Sequence, residues 1–360
     1  MATSAWREFR PRVRVRSGPE RLPHHFTPCF GIQLMKTTSA VLACLPLMLS
    51  MIHPCAAAEE PAPANVAASG PEATEVSVQP PMSFETPDAA VIALIEAAAS
   101  EDRGALLEVL GSDLDELVSG DPVADALDRR RFVELSQEAA QLEDETDDSA
   151  ILVIGPEDWP FPIPLAKDDR GWFFDTRAGL EELLDRRIGI NELHAIATAR
   201  AFVDAQLEYA AADPDGDGAR AYAGRFWSTE GKRDGLYWPT NESEPESPMG
   251  PLVDDAVEEG YEVREDGEGR RPYHGYYFKI LTAQGPSGPG GAKSYLKDGR
   301  LADGFGLLAW PASYGNSGIM SFQVNQRGMV YQADLGEDTA AVAEAIDAYD
   351  PGEDWEPVVD

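Results

Sequence analysis

"GLEELLDRRIGINELHAIATARAFVDAQLEYAAADPDGDG", residues 179–218, decides the fold. Leu193, Ile196, Ala199, Phe202, Val203 and Ala210 recur at the spacing of one helical face. A long helix is therefore expected to run to about Asp213 and to bury that face against the strands downstream. Gly189 predicts a break, with Asn191 capping the continuation. Arg186 and Arg187 read as a solvated helix end. The stop is "DPDGDG": Asp side chains satisfy loose backbone donors and Gly accepts positive φ, the usual chemistry beyond a helix terminus.

The same residues begin like a calcium loop. Asp213, Asp215 and Asp217 at alternate positions before Gly218 match the first half of D-x-[DN]-x-[DN]-G. The second half fails, because Ala221 holds the ninth position and Gly224 the twelfth, where a bidentate Glu is wanted. The turn reading is preferred, so no cofactor is expected. Calcium on those three aspartates is the alternative.

Outward toward the C-terminus, "GPLVDDAVEEGY" reads as a short helix and "YHGYYFKILTA", "FGLLAWPA", "GIMSFQVNQ" and "GMVYQADLG" as strands. Gln326-Arg327-Gly328 joins the last two as a tight hairpin. "QGPSGPGGAKSYLKDGR" is expected to be a mobile loop, and "DTAAVAEAIDAY" a final helix before an acidic tail, 346–360. Outward toward the N-terminus, "AILVIG", "FPIPLAK" and "GWFFDT" read as strands. "FETPDAAVIALIEAAAS", "RGALLEVLG" and "ADALDRRRFVELSQEAAQL" read as helices, the first capped by Thr86 with Pro87 in its first turn. Its apolar face is Ala90, Ile92, Leu94, Ile95 and Ala98. The class is α+β: an N-terminal domain of helices plus a small antiparallel sheet (84–182), then one long helix against an antiparallel sheet (183–345).

Ahead of these lies a different chemistry. "MKTTSAVLACLPLMLSMIHPCAAAEE", from Met35, has one lysine, an apolar run from Ala40 to Ile52 and small residues at 56–58, the pattern of a secretory signal peptide. Residues 1–58 are therefore read as an over-called start plus a signal peptide, with no transmembrane segment in the mature chain, and 59–83 as a disordered linker. All three cysteines (Cys29, Cys44, Cys55) fall in the leader, leaving the mature chain without a thiol. Across the sequence 29 Lys+Arg face 64 Asp+Glu, a net of −35, and the acids fall almost wholly after residue 58. So acidic a body repels polyphosphate, which argues against nucleic acid as a partner.

"WPFPIPL", "GWFFDTRAG", "RRIGINEL", "DGLYWP", "PYHGYYFKILTAQGP" and "FGLLAWPASYGNSGIMSFQVNQRGMVYQADLG" together resemble an exported bacterial family, domain of unknown function twenty-nine fifty, over about residues 84–345. The resemblance brings no activity with it. In element order the N-terminal part resembles the nuclear-transport-factor-like fold, and the C-terminal half resembles the soluble domain of type IV pilins and pseudopilins. The pilin likeness implies a helix spine on a sheet, but neither the prepilin cleavage motif nor the apolar spine is present here.

Candidate sites are few, and no catalytic residue is assigned. "FWSTEGKRDGLYWPT" mixes Trp227, Tyr237 and Trp238 with Lys232 and Arg233, the best surface candidate for ligand binding. His274, among Tyr273, Tyr276 and Tyr277, is a candidate general base, though a structural histidine at a strand start is preferred. His194 is the other mature histidine, and a two-histidine site needs the fold to bring the pair together. Ser317 in "GNSG" lacks the spacing of a nucleophile elbow. The expectation is a non-enzymatic binding or scaffolding protein, periplasmic or secreted, whose partner is an envelope protein or glycan. The alternative is an envelope hydrolase using carboxylates or His274 in an inter-domain cleft.

Overall fold

In the computed structural model the described residues are 14–15, 79–214, 216, 218, 220–241, 243–262 and 270–359. The expected signal peptide and most of the linker lie outside them, as do Asp215 and Asp217. The class is α+β.

The N-terminal half follows its local signals closely. Helix α1 (Pro87–Ala99) starts where Thr86 Oγ1 accepts the Ala89 N–H at 3.2 Å. It buries Ala90, Val91 and Leu94, whereas Ile92, assigned inward from sequence, is 36 % exposed. Helix α2 (Arg103–Leu110) ends at Gly111, whose φ of +79° suits glycine. Helix α3 (Pro122–Glu138) stops short of the expected "AAQL", because Ala140 and Leu142 are drawn into a strand. Strands Ala140–Thr146, Ser149–Ile154, Leu165–Asp168 and Gly171–Phe174 pair antiparallel in that order. Their buried Leu142, Leu152, Leu165 and Phe174 form one core with α1 and α2. Gln79 and Met82, expected in the linker, are already fastened: the Gln79 carbonyl accepts from Ser112 N at 2.9 Å and Met82 N donates to Glu108 O at 3.0 Å.

Helix α4 (Thr176–Ala212) is 37 residues long, capped by Asp175, and runs unbroken through Gly189. A mid-helix glycine weakens a helix by only about 1 kcal/mol, and the flanking residues are tied across the fold. Arg187 Nη1 donates to Asn316 Oδ1 at 2.7 Å, Asn191 Nδ2 donates to Ser317 O at 2.9 Å, and Glu192 Oε1 accepts from the Ile319 and Met320 amides at 3.1 and 3.0 Å. Asn191 is thus a cross-link rather than a cap. Arg187 is a buried strut rather than a solvated end, its side chain 11 % exposed. Leu183 packs on the first core, while Ala195, Ala199, Phe202 and Val203 enter the second. Leu193, expected inward, is 68 % exposed, whereas Ala199, Phe202, Val203 and Ala210 of the same expected face are buried. The helix stops at Asp213, which takes left-handed φ and ψ of 48° and 57°, and its Oδ2 accepts the Gly218 N–H at 3.0 Å.

The second sheet has the order Glu356–Pro357, Tyr331–Asp334, Met320–Asn325, Gly306–Pro311, Tyr276–Leu281, all antiparallel. Period-two alternation sends Leu307, Ala309, Phe322 and Val324 toward α4. Leu308 and Trp310 point to the opposite face, against Ala343 of α6 (Thr339–Ala345) and Tyr349. Between Gln284 and Arg300, where a mobile loop was expected, the chain is pinned. Gln284 Nε2 donates to the Pro289 and Gly291 carbonyls at 3.0 and 2.6 Å, Tyr295 is fully buried, and its hydroxyl donates to Gln284 Oε1 at 3.0 Å. The acidic tail is also part of the fold, through Ala348–Tyr349 beside Ala283–Gln284 and through Asp350, whose Oδ1 accepts from Ser287 N at 2.8 Å. Among the described residues no helix is long and apolar enough to cross a membrane.

Candidate functional site

Asp121 organises the site. Its Oδ1 accepts from Val123 N and Ala124 N, both at 3.1 Å, capping α3 in the ordinary way. Its Oδ2 reaches away from the helix to accept from Tyr261 Oη and Gly275 N, both at 3.0 Å. Only 1 % of the residue is exposed, and four donors occupy its carboxylate. A buried charge is tolerated when it is satisfied in this way.

Gly275 belongs to a tight turn between Tyr273 and Tyr276, which exchange backbone hydrogen bonds at 2.8 and 3.1 Å. His274 and Gly275 both have positive φ, +47° and +74°, as a primed hairpin turn requires. A side chain at Gly275 would lie 2.6 Å from Asn191 Nδ2, so glycine is needed there for space as well as conformation. Tyr261 Oη accepts the His274 N–H at 3.0 Å, which locks the turn to the segment just after α5 (Gly250–Glu259).

The turn delivers the His274 ring into a closed setting. It stacks on His194 and stands edge-on to Tyr273 at 4.3 Å. Its Nε2 lies 3.0 Å from Glu259 Oε2, without the alignment of a hydrogen bond. Burial, then the neighbouring His194, pulls the imidazole pKa down to about 4. Burial, then Asp255 and Asp121, pushes the Glu259 carboxyl upward. Both groups are thereby biased toward their uncharged forms.

Beside this cluster is a cavity of about 540 Å³. Leu252, Val253 and Ala256 of α5 line it together with Phe226, Trp227 and Tyr237. Phe278 of the sheet, Tyr261, Tyr273, Glu262, Arg270 and Arg271 are also among the lining residues. Trp227 and Tyr237 meet edge to face at 5.3 Å across a one-rung bridge, where Gly235 lets the two segments approach. The volume falls within the range of small-molecule sites, roughly 300–1,000 Å³, and the lining is of the usual kind, apolar with a few polar groups.

The residues singled out in sequence are thus divided. Trp227 and Tyr237 line the cavity. Trp238 turns into the second core, 7 % exposed, with the Arg233 guanidinium over its ring at 5.5 Å and Arg233 paired to Glu244 at 3.4 Å. Lys232 is exposed on the outer turn. His274 sits behind Tyr261 and Tyr273, and the fold does bring it onto His194. Those rings, stacked 4.0 Å apart with planes 21° apart, keep their in-plane lone pairs in two separate, nearly parallel planes, which is poor geometry for converging on one ion. Asp213 closes the turn after α4, away from the cavity. Ser317 is fully buried, its hydroxyl donating to Gly275 O at 2.9 Å, so it supports the turn. Sequence reading missed Asp121, Glu259, Tyr261 and Phe278. Asp121-Pro122 carries a legible cap signal, but nothing in one sequence shows that the same carboxylate spans 154 residues to Gly275.

Residues 81–358 match the family described as "Protein of unknown function (DUF2950)", and the chain belongs to that family. No curated protein and no solved structure matches it.

Proposed function

We propose that this DUF2950 protein is a binding protein whose ligand is a small organic molecule held between α5 and the Trp227–Tyr237 pair, and that it acts outside the cytoplasm. One observation carries the first part: a cavity of about 540 Å³ lined by aliphatic residues of α5 and by a group of aromatic side chains. The second part rests on the signal-peptide pattern that starts at Met35. The pilin-like order of helix and strands supports a scaffold for such a site, with the cross-links of Arg187, Asn191 and Glu192 keeping helix and sheet together.

The test is uptake of N-phenyl-1-naphthylamine, a neutral dye that brightens in apolar surroundings. The reading expects saturable uptake of one dye per chain, abolished by Ala256→Phe, which fills the cavity from an α5 side chain already facing it. Absence of saturable uptake, or full uptake by a folded Ala256→Phe protein, contradicts it.

A hydrolytic reading has one observation in its favour, the raised Glu259 carboxyl 3.0 Å from the neutral His274 imidazole. Both facing atoms are sealed from solvent, so a reacting water needs the turn to open first. We rank it second. Turnover of a chromogenic ester or glycoside that vanishes in His274→Asn would reverse the order.

A further inference from the structure

We infer that the cavity ligand is an organic cation of the quaternary or fully alkylated ammonium class, carrying an apolar substituent. This rests on the reading of the cavity as a ligand site and adds the chemistry it selects.

The first ground is the wall itself. Phe226, Trp227, Tyr237, Tyr261, Tyr273 and Phe278 all border one space. Aromatic faces carry negative quadrupole charge and attract a cation that has been stripped of water. An alkylated ammonium suits such faces because its charge is spread over methyl groups that are themselves apolar.

The second ground is charge. Asp254, Asp255, Glu258 and Glu259 crowd the last turns of α5, behind the wall that the cavity uses. Their field is felt inside the cavity: the Tyr237 phenol is held above its usual range by burial and then by Asp254, and the Tyr273 phenol by burial and then by Glu259 and Asp255. The only lining cations among the described residues are Arg270 and Arg271, and both face carboxylates. Arg270 pairs with Glu344 and lies 4.7 Å over the Trp310 ring, while Arg271 pairs with Glu262 at 2.8 Å. A chain with net charge −35 adds a long-range bias of the same sign. Anionic ligands are therefore disfavoured.

The third ground separates alkylated ammonium from a primary amine. An –NH3+ group needs three acceptors when it leaves water. Of the two lining carboxylates among the described residues, Asp121 already accepts from four donors and Glu262 is paired with Arg271, while Tyr261 Oη is occupied between Asp121 and His274 N. A cation without N–H groups makes no such demand.

Calorimetry on the full chain compares benzyltrimethylammonium with its uncharged carbon isostere, neopentylbenzene, and with the anion 3-phenylpropionate. The cation is expected to bind about tenfold more tightly than the isostere, and added salt should weaken it alone. Asp254→Asn combined with Asp255→Asn, at exposed positions that leave the fold intact, should weaken the cation several-fold and leave the isostere unchanged. Trp227→Leu should weaken the cation more than the isostere. Equal or tighter binding of the isostere or the anion overturns the cation assignment and leaves the cavity reading standing. Failure of all three probes and of the dye overturns both.

Discussion

The rings of His194 and His274 stack with centroids 4.0 Å apart and planes 21° apart, the first on the exposed side of α4 and the second 8 % exposed. The outer ring roofs the inner one, and that burial is why the inner imidazole stays uncharged to about pH 4. An unfolded chain takes up the same proton near 6.5. Stability from this group is therefore complete above about pH 6.5 and is lost as pH falls toward 4, by about 1.4 kcal/mol per unit and about 3 kcal/mol in all. Glu259 and Asp128, both raised chiefly by burial, act with the opposite sign, losing stability as pH rises past their unperturbed values. Urea denaturation across pH 4–7 on the native chain and on His274→Asn isolates the histidine, since Asn tolerates a left-handed φ. The difference between the two proteins is expected to shrink as pH falls. A pH-independent difference would refute the buried, neutral assignment.

Asp121 joins α3, Tyr261 and the Gly275 turn through one carboxylate. Asp121→Ala removes a helix cap, worth about 1 kcal/mol, and strands two buried donors at about 1–3 kcal/mol each. We expect a loss of roughly 3–5 kcal/mol in chemical denaturation, with Asp121→Asn retaining part of it. Hydrogen exchange gives a local readout, in which the Gly275 amide loses protection in the Ala variant more than amides of the Tyr331–Asp334 strand.

Gly275→Ala introduces a β-carbon 2.6 Å from Asn191 Nδ2, at a φ of +74°. The backbone strain is about 1 kcal/mol, and displacing Asn191 from Ser317 O adds a broken buried hydrogen bond. A loss of about 2–4 kcal/mol is expected, and it should be smaller in an Asn191→Ala background because the nearer of two close contacts is then gone, leaving Ser317 Cβ at 3.0 Å. Additive losses would mean that the two residues do not meet.

Local signals were legible where neighbours in sequence are neighbours in space. Thr86-Pro87, Gly111, Asp213 and Gly328 each mark the start, stop or turn that the backbone makes. Class followed from local pattern, since Ala199, Phe202, Val203 and Ala210 recur at helical spacing and the short apolar run at 305–311 reads as a strand. The two faces of that strand, Leu307 and Ala309 against Leu308 and Trp310, are all apolar and could not be told apart. Long-range polar partners were not legible. Gly189 looked like a break because the bonds that hold α4 together there come from Asn316, Ser317 and Ile319, over a hundred residues away. "QGPSGPGG" looked loose because composition does not show that one glutamine, Gln284, gathers its carbonyls. For the site, Trp227 and Tyr237 were found through their aromatic character, and Trp238, one residue on, faces the other way because strand-like segments alternate.

The most direct test of the ligand cavity is fluorine NMR on chain labelled with 5-fluorotryptophan and titrated with benzyltrimethylammonium. The Trp227 resonance is assigned by its absence from a Trp227→Phe protein. The account predicts that this resonance moves saturably with the probe, while that of Trp159, on the N-terminal sheet, stays still. A Trp227 resonance that does not move, or tryptophans that all move together without saturating, would contradict it.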